Sequence, residues 1–371
     1  MGGSVEPLAC LTLVAIPTCP APEANSAGSS FRYTKNVPCS LARYIRKGEA
    51  IPATDQAVVF GCQAGRYLAE NISQMSGIPL GAAEIFKFPN DNKFVRIHEN
   101  VRERDVFVVQ TSCPPVDEAL MEALIMIDAL RRASARRITA VLPYFPYARS
   151  DKKDQPRVPI TARLVADLLT TAGADRVVTV DLTADQIQGF FGNILDHLTA
   201  MPLFIRAAHD LIEPLCEAVV VAPDAGTAKR ALKFADLLGI DLAGMVFKRR
   251  IAADGAVSVS TAVTNVRDKP VLLIDDEIDT ANSLTHAAAA LMECGARSVV
   301  AFCTHGVLSH EAVARVAQSP LIRVVVTDTV PVPTHDKLTV VPISPLLAEA
   351  IDCIHTGRSL SALFEVPPLQ R

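Results

Sequence analysis

The chain has 371 residues, of which 50 % are hydrophobic and 20 % charged, with a formal net charge of −4 at pH 7. At about 150 residues per domain this is enough for roughly two domains with sizeable cores, and such an apolar content excludes a disordered chain. The near-balance of acids and bases excludes a globally basic nucleic-acid binder, and no apolar run approaches the ~20 residues needed to span a bilayer.

Taken in chain order, the first feature is a short apolar run, Leu8 to Ile16, followed by Pro17 and Cys19. A secretory signal wants positive charge before such a run, and here Glu6 is the only charged side chain before it. Residues 1 to about 30, rich in Pro, Ala, Ser and Gly, therefore read as part of a loose N-terminal extension over 1–56. From Ala57 onward two kinds of segment alternate. Val106–Gln110, Ile138–Leu142, Val177–Asp181, Val219–Ala222, Val271–Asp275, Val299–Phe302 and Val324–Thr327 are short β-branched runs, apolar on both faces. Strands of a parallel sheet covered by helices on both sides look like this. Between them, 117–135, 161–171, 227–238 and 283–294 carry helical spacing, and Gly173 and Gly295 supply left-handed stops.

This alternation predicts an α/β protein of two doubly wound domains with mainly parallel sheets. The segment from Gly189 to Pro202 interrupts the pattern, so the division is placed near residue 200, giving domains over 57–200 and 201–342. Residues 343–371 form a last segment, helical in spacing over 343–364, expected to pack back on the first domain. The nine cysteines are scattered, with no Cys-x-x-Cys pair, which suits a reducing cytoplasmic setting better than a disulfide scaffold or a clustered metal site.

The strongest chemical signal is Val271 to Thr285 (VLLIDDEIDTANSLT). A buried strand runs out into Asp275 and Asp276, then into small polar residues that open a helix. Ligands of open α/β sheets sit at the carboxyl ends of strands, and helix N-termini bind phosphate. Carboxylates can accept from sugar hydroxyls or hold a hydrated magnesium ion, while Thr280, Ser283 and the amides around Ala281 and Asn282 can wrap a phosphate. A plain strand–loop–helix junction with Ser283 as cap explains Ser283 but not the acid pair.

That segment resembles the phosphoribosyl-binding motif of the type I phosphoribosyltransferase fold. Further blocks narrow the resemblance to the ribose-phosphate diphosphokinase, or 5-phosphoribosyl diphosphate (PRPP) synthase, family. They are Pro143-Tyr-Phe-Pro-Tyr-Ala-Arg149-Ser-Asp-Lys-Lys153, Pro159-Ile-Thr-Ala-Arg163, Asp181-Leu-Thr-Ala-Asp-Gln-Ile-Gln-Gly-Phe-Phe191, Pro223-Asp224-Ala-Gly226, Phe247-Lys-Arg-Arg250 and Ser344-Pro-Leu-Leu-Ala-Glu-Ala350, spread in order from about Phe60 to Phe364. Residues 1–56 lie outside the resemblance.

The resemblance implies transfer of the β,γ-diphosphoryl group of ATP to the 1-hydroxyl of ribose 5-phosphate, with release of AMP and with Mg2+ as cofactor. It implies that Lys248 and Arg250 lie on a loop closing over the transferring group and act catalytically. Arg149 and Ser150 would contact ATP phosphates, with Ser150 standing where the family usually has Gln. Phe88, Asn90 and Asn92 would hold adenine, the loop reaching a neighbouring subunit's ATP in a homo-oligomer, typically dimers gathered into a hexamer. Asp275, Asp276, Asp279, Thr280, Ala281, Asn282 and Ser283 would bind ribose 5-phosphate. Asp224 would be a metal ligand, and so would Thr183, although the family places His at that position. Thr offers a neutral hard oxygen that reaches less far than imidazole. Ile194 stands for a usual Pro. Asn282 stands for a usual Gly, and Asn is the non-Gly residue that best tolerates positive φ.

Plainer readings compete. Lys248-Arg249-Arg250 alone is a solvated basic turn, Arg149 is a loop arginine salt-bridged to Asp151 and Asp154, and Phe88-Pro-Asn-Asp is a turn. Thr183 also supports a catalytically weakened homologue that regulates an active enzyme, and another ribosyl acceptor is a third possibility. A DNA-binding regulator would need a basic helix-turn-helix, and residues 1–56 offer only Arg32, Lys35, Arg43, Arg46 and Lys47. No nucleic-acid or membrane partner is expected.

Overall fold

The computed structural model describes residues 56–250 and 257–364, the side chains of 247–250 and 257–260 excepted. The first half runs β1 (Ala57–Gly61), α1 (Arg66–Ser76), β2 (Ala83–Lys87), β3 (Lys93–Ile97), β4 (Asp105–Val109), α2 (Val116–Arg132), β5 (Arg137–Val141), α3 (Thr161–Ala172), β6 (Arg176–Val180), β7 (Ile194–Leu198) and α4 (Met201–Leu211). The second half runs β8 (Val219–Ala222), α5 (Ala228–Leu238), β9 (Asp241–Arg250), β10 (Val257–Val263), β11 (Pro270–Ile278), α6 (Asn282–Glu293), β12 (Ser298–Gly306), α7 (Ala312–Gln318), β13 (Leu321–Thr327), β14 (Leu338–Val341) and α8 (Ser344–Thr356).

Five parallel strands in the order β1-β4-β5-β6-β7 form one sheet, with Val59 opposite Phe107 and Val108 opposite Ala140. Seven strands form the other in the order β10-β9-β8-β11-β12-β13-β14, parallel except where β9 meets β10. β2 and β3 make a separate antiparallel hairpin. Strands β4, β8 and the stretch 270–274 of β11 are buried at every position, because helices cover both faces.

One apolar core runs through both halves, from Val59 and Leu68 through Phe204 of α4 to Phe302 and Ile351. Phe204 and Phe234 meet Phe302 with ring centroids 5.8 and 5.3 Å away, so α4 and α5 share one aromatic contact on the second sheet. Helix α8 packs against α1, which places this helix on the first half. Among the described residues no helix is long and apolar enough to cross a membrane.

Three expectations change. Gly189–Pro202 is not a break, because it contains β7, the last strand of the first sheet. The pattern hides it since an edge strand keeps polar residues, and Asp196 there pairs with Arg176. Helical spacing over 343–364 overstates the last helix, which stops at Thr356 because Gly357 turns left-handed at φ 70°. The β2–β3 and β9–β10 hairpins had no counterpart among the apolar runs, being only partly buried or alternating with polar residues.

Candidate functional site

The site begins where β11 leaves the core. Past Ile274 the side chains of Asp275, Asp276 and Glu277 come only partly out of cover, and Asp275 accepts the amide of Asp276 on its own Oδ1 at 2.9 Å. Burial, and then the neighbouring carboxylates of Asp276 and Asp224, push the Asp275 carboxyl well above the usual carboxylate range. A site that crowds acids in this way gains from hydroxyl donors or cations.

The following loop is clamped from outside the cavity. Arg315 donates to the carbonyl of Thr280 at 2.9 Å, the Ser309 amide donates to the Asp279 carbonyl at 3.0 Å, and the Ser309 hydroxyl donates to the Asp279 carboxylate. Ala281 sits at φ 63° and Asn282 opens α6, so the positive φ expected at Asn282 falls one residue earlier. No side chain caps this helix, which removes the capping explanation of Ser283. The first-turn amides of α6 have no intrahelical acceptor and are available to an anion.

From the first half, Arg149 reaches over this loop. Its Nη1 lies 3.1 Å from Asp279 and 3.4 Å from Glu277, and it does not pair with Asp151, which instead accepts from Gln186 at 2.7 Å. Arg149, Thr183, Asp224 and residues 275–284 together line a cavity of about 220 Å3. Asp224 also turns the start of α5, accepting the Thr227 amide at 3.1 Å. Arg149 is the one cation among these lining residues, against the carboxylates of Asp224, Asp275, Asp276, Glu277 and Asp279.

Behind the cavity lies an ion pair that local sequence does not signal. Asp181, at the exit of β6, is buried and receives Thr199 Oγ1 at 2.9 Å, the Ala200 amide at 2.8 Å, Thr304 Oγ1 at 2.7 Å and Arg230 at 3.0 Å. Burial alone would raise this carboxyl, but Arg230, the Ala200 amide and Thr304 together hold it below the ordinary value. The nearby His197 accepts the Leu182 amide on Nε2 at 2.8 Å, so its ring is neutral and faces the backbone, and burial lowers its pKa. It does not replace the imidazole missing at Thr183.

Other expected residues stand apart. The Ser150 hydroxyl faces Thr161 at the start of α3, 3.3 Å from its Oγ1, and does not line the cavity. Phe88 lies at the β2–β3 hairpin, half-exposed, its ring 5.1 Å from Phe86 and 5.5 Å from Phe94. Asn90 accepts the Asn92 amide at 3.3 Å, and neither lines the cavity. Lys248 and Arg250 belong to the β9 backbone, opposite Val259 and Val257, and their side chains lie outside the described residues.

Residues 57–173 match the N-terminal domain of ribose phosphate pyrophosphokinase, and residues 256–365 match the phosphoribosyl synthetase-associated domain. The chain belongs to the ribose phosphate pyrophosphokinase family. Ribose-phosphate pyrophosphokinase 2 of Schizosaccharomyces pombe is 45 % identical over 324 residues, covering 85 % of this chain and 99 % of that protein. Ribose-phosphate pyrophosphokinase of Caldanaerobacter subterraneus is 46 % identical over 314 residues, covering 84 % and 98 %. The crystal structure of phosphoribosylpyrophosphate synthetase from Mycobacterium smegmatis superposes with a TM-score of 0.76 at 43 % identity, covering 81 % of this chain and 99 % of that one. The family accounts for two mainly parallel sheets with the acidic loop at the carboxyl end of β11.

Proposed function

We propose that this cavity is where the chain acts as a ribose-phosphate pyrophosphokinase, transferring the diphosphoryl group of Mg-ATP to the 1-hydroxyl of ribose 5-phosphate to give PRPP and AMP. One observation carries the assignment. A single cavity joins Arg149 and Thr183 of the first half to Asp224 and the 275–284 loop of the second. Two substrates must meet for a direct transfer, and a cleft between two strand-end loops brings them together.

In this reading the amides of Thr280 to Ser283 hold the 5-phosphate, and Asp275 and Asp276 accept from the ribose hydroxyls. The Asp275 carboxyl is raised first by burial and then by the neighbouring acids, and sugar hydroxyls and a cation would relieve the second of these. Arg149 directs its guanidinium to the ATP phosphates. Lys248 and Arg250, carried on the β9–β10 arm, neutralise charge on the transferring group, the main demand of phosphoryl transfer.

Among the described residues no three His, Cys, Asp or Glu side chains gather into a metal cluster. The hard oxygens of Asp224 and Thr183 fit a magnesium ion that takes its remaining ligands from water and substrate phosphates. Bound there, it would supply charge neutralisation at the polyphosphate. The exposed Phe88, with Asn90 and Asn92, would reach the adenine of a neighbouring subunit, making the working cytoplasmic form a dimer or hexamer. The chain would comprise an extension over 1–56, domains over 57–200 and 201–342, and a segment over 343–371.

A turnover assay with Mg-ATP and ribose 5-phosphate, following AMP and PRPP together beside a Thr183→His variant, tests the reading. Equal amounts of both products from the wild type support it. Silence from both proteins would remove it.

A further inference from the structure

Glu277 has no place in the roles above, yet its side chain is only 8 % exposed and it lines the cavity. Three contacts define it. In the ladder it stands opposite His305 of β12, whose ring lies 4.8 Å from that of Tyr144. It also lies close enough to the half-buried Tyr144 that burial, followed by the Glu277 charge, raises the Tyr144 pKa. Its Oε1 meets Arg149 Nη1 at 3.4 Å, while its Oε2 is buried without a hydrogen-bond partner.

Tyr144 and Arg149 are both on the loop that leaves β5, whereas Glu277 is on β11, so this acid ties the two halves at the mouth of the cavity. The Arg149 side chain is 64 % exposed and would otherwise sample many rotamers. Both of its carboxylate contacts, to Glu277 and to Asp279, go through the one nitrogen Nη1. Among the described residues Nε and Nη2 make no such contact and keep their donors for a ligand. An arginine anchored by one nitrogen presents a fixed fork to an incoming phosphate.

We propose that Glu277 is a positioning residue for nucleotide, holding Arg149 by one guanidinium nitrogen so that its remaining donors face the ATP polyphosphate. The inference rests on the reading of this cavity as the ATP and ribose 5-phosphate site. It also makes a definite choice between two electrostatic outcomes. A carboxylate beside a polyphosphate site repels the ligand through space, and it orders the cation that binds the ligand. The burial of Glu277 itself, between the half-buried Tyr144 and the buried His305, favours ordering.

The test is a double-mutant cycle of Glu277→Gln and Arg149→Ala. It is read by calorimetric binding of a non-hydrolysable ATP analogue with magnesium and by steady-state KM and kcat. Glu277→Gln keeps the shape while removing the charge. The expected result is weaker nucleotide binding and a higher KM for ATP by roughly two- to five-fold, the range for an ion pair with one exposed partner. The change in kcat is smaller, and KM for ribose 5-phosphate is little moved. In the Arg149→Ala background Glu277→Gln should add nothing further to the nucleotide affinity, which separates positioning from a general loss of packing. Unchanged or tighter nucleotide binding in Glu277→Gln would overturn the proposal, as would an equal effect with and without Arg149. Wild-type protein that binds the analogue but forms no PRPP would instead count against the functional reading and leave the binding cycle valid.

Discussion

Replacing Arg230 by Met should destabilise the protein by removing the charge opposite a buried carboxylate. Asp181 keeps 7 % side-chain exposure and Arg230 keeps 21 %, so water cannot fully replace the guanidinium. Removing one partner of a buried pair typically costs about 3–5 kcal/mol, and the residual exposure of Arg230 points to the lower part, about 3 kcal/mol. The three remaining donors, Thr199, Ala200 and Thr304, keep Asp181 from being fully orphaned. Asp181 lies at the end of β6 and Arg230 on α5, so the loss should also weaken coupling between the halves. The sign with pH follows from the lowered wild-type carboxyl. Its contribution is present above the ordinary carboxylate pKa and is lost as pH falls through the lower folded value. In Arg230→Met that carboxyl rises, so the variant's deficit is largest near neutrality and shrinks on mild acidification. Urea unfolding at pH 7.5 and pH 5, with Asp181→Asn/Arg230→Met as the uncharged control, measures this. A deficit below about 1 kcal/mol at pH 7.5, or one that grows at pH 5, would refute the reasoning.

Asp328 is buried, with a carboxyl raised to about 6, and accepts the Ile343 amide at 2.6 Å. Its stabilising contribution is present below the ordinary value and is lost as pH rises through about 6, a span of roughly 3 kcal/mol for two pK units. Asp328→Asn keeps the acceptor, so its unfolding free energy should fall less than the wild type's between pH 4 and 6. Lys248→Ala should lower turnover by about 10²-fold or more, on the scale of a lost phosphoryl-stabilising cation, with ribose 5-phosphate affinity within two-fold by calorimetry. Light scattering at micromolar concentration should give a dimer or larger assembly, and a stable active monomer would sink the shared adenine site.

Much of the architecture was legible because covered parallel strands must be apolar on both faces. Val106–Gln110, Val219–Ala222 and Val271–Asp275 announced themselves on that ground, and Asp275 and Asp276 stood out as acids at the end of such a run. β7 stayed hidden because its edge position lets Asp196 and His197 remain polar. The acid loop was likewise readable, though its conformational detail was not. Which residue of Ala281-Asn282 takes the positive φ depends on how Arg315 and Ser309 hold the loop, and both are remote in sequence.

Sequence alone determined the elements whose signal lies within a few residues, namely buried strands, amphipathic helices and the strand-end acids. Tertiary structure alone decided the pairings that cross the two halves. Arg149 has Asp151 and Asp154 close in the chain, yet it pairs with Glu277 and Asp279, more than a hundred positions away. Asp181 finds Arg230 and Thr304 in the same way. Side-chain partners follow from which strand ends the folded sheets bring together, and a local pattern carries no information about that distance.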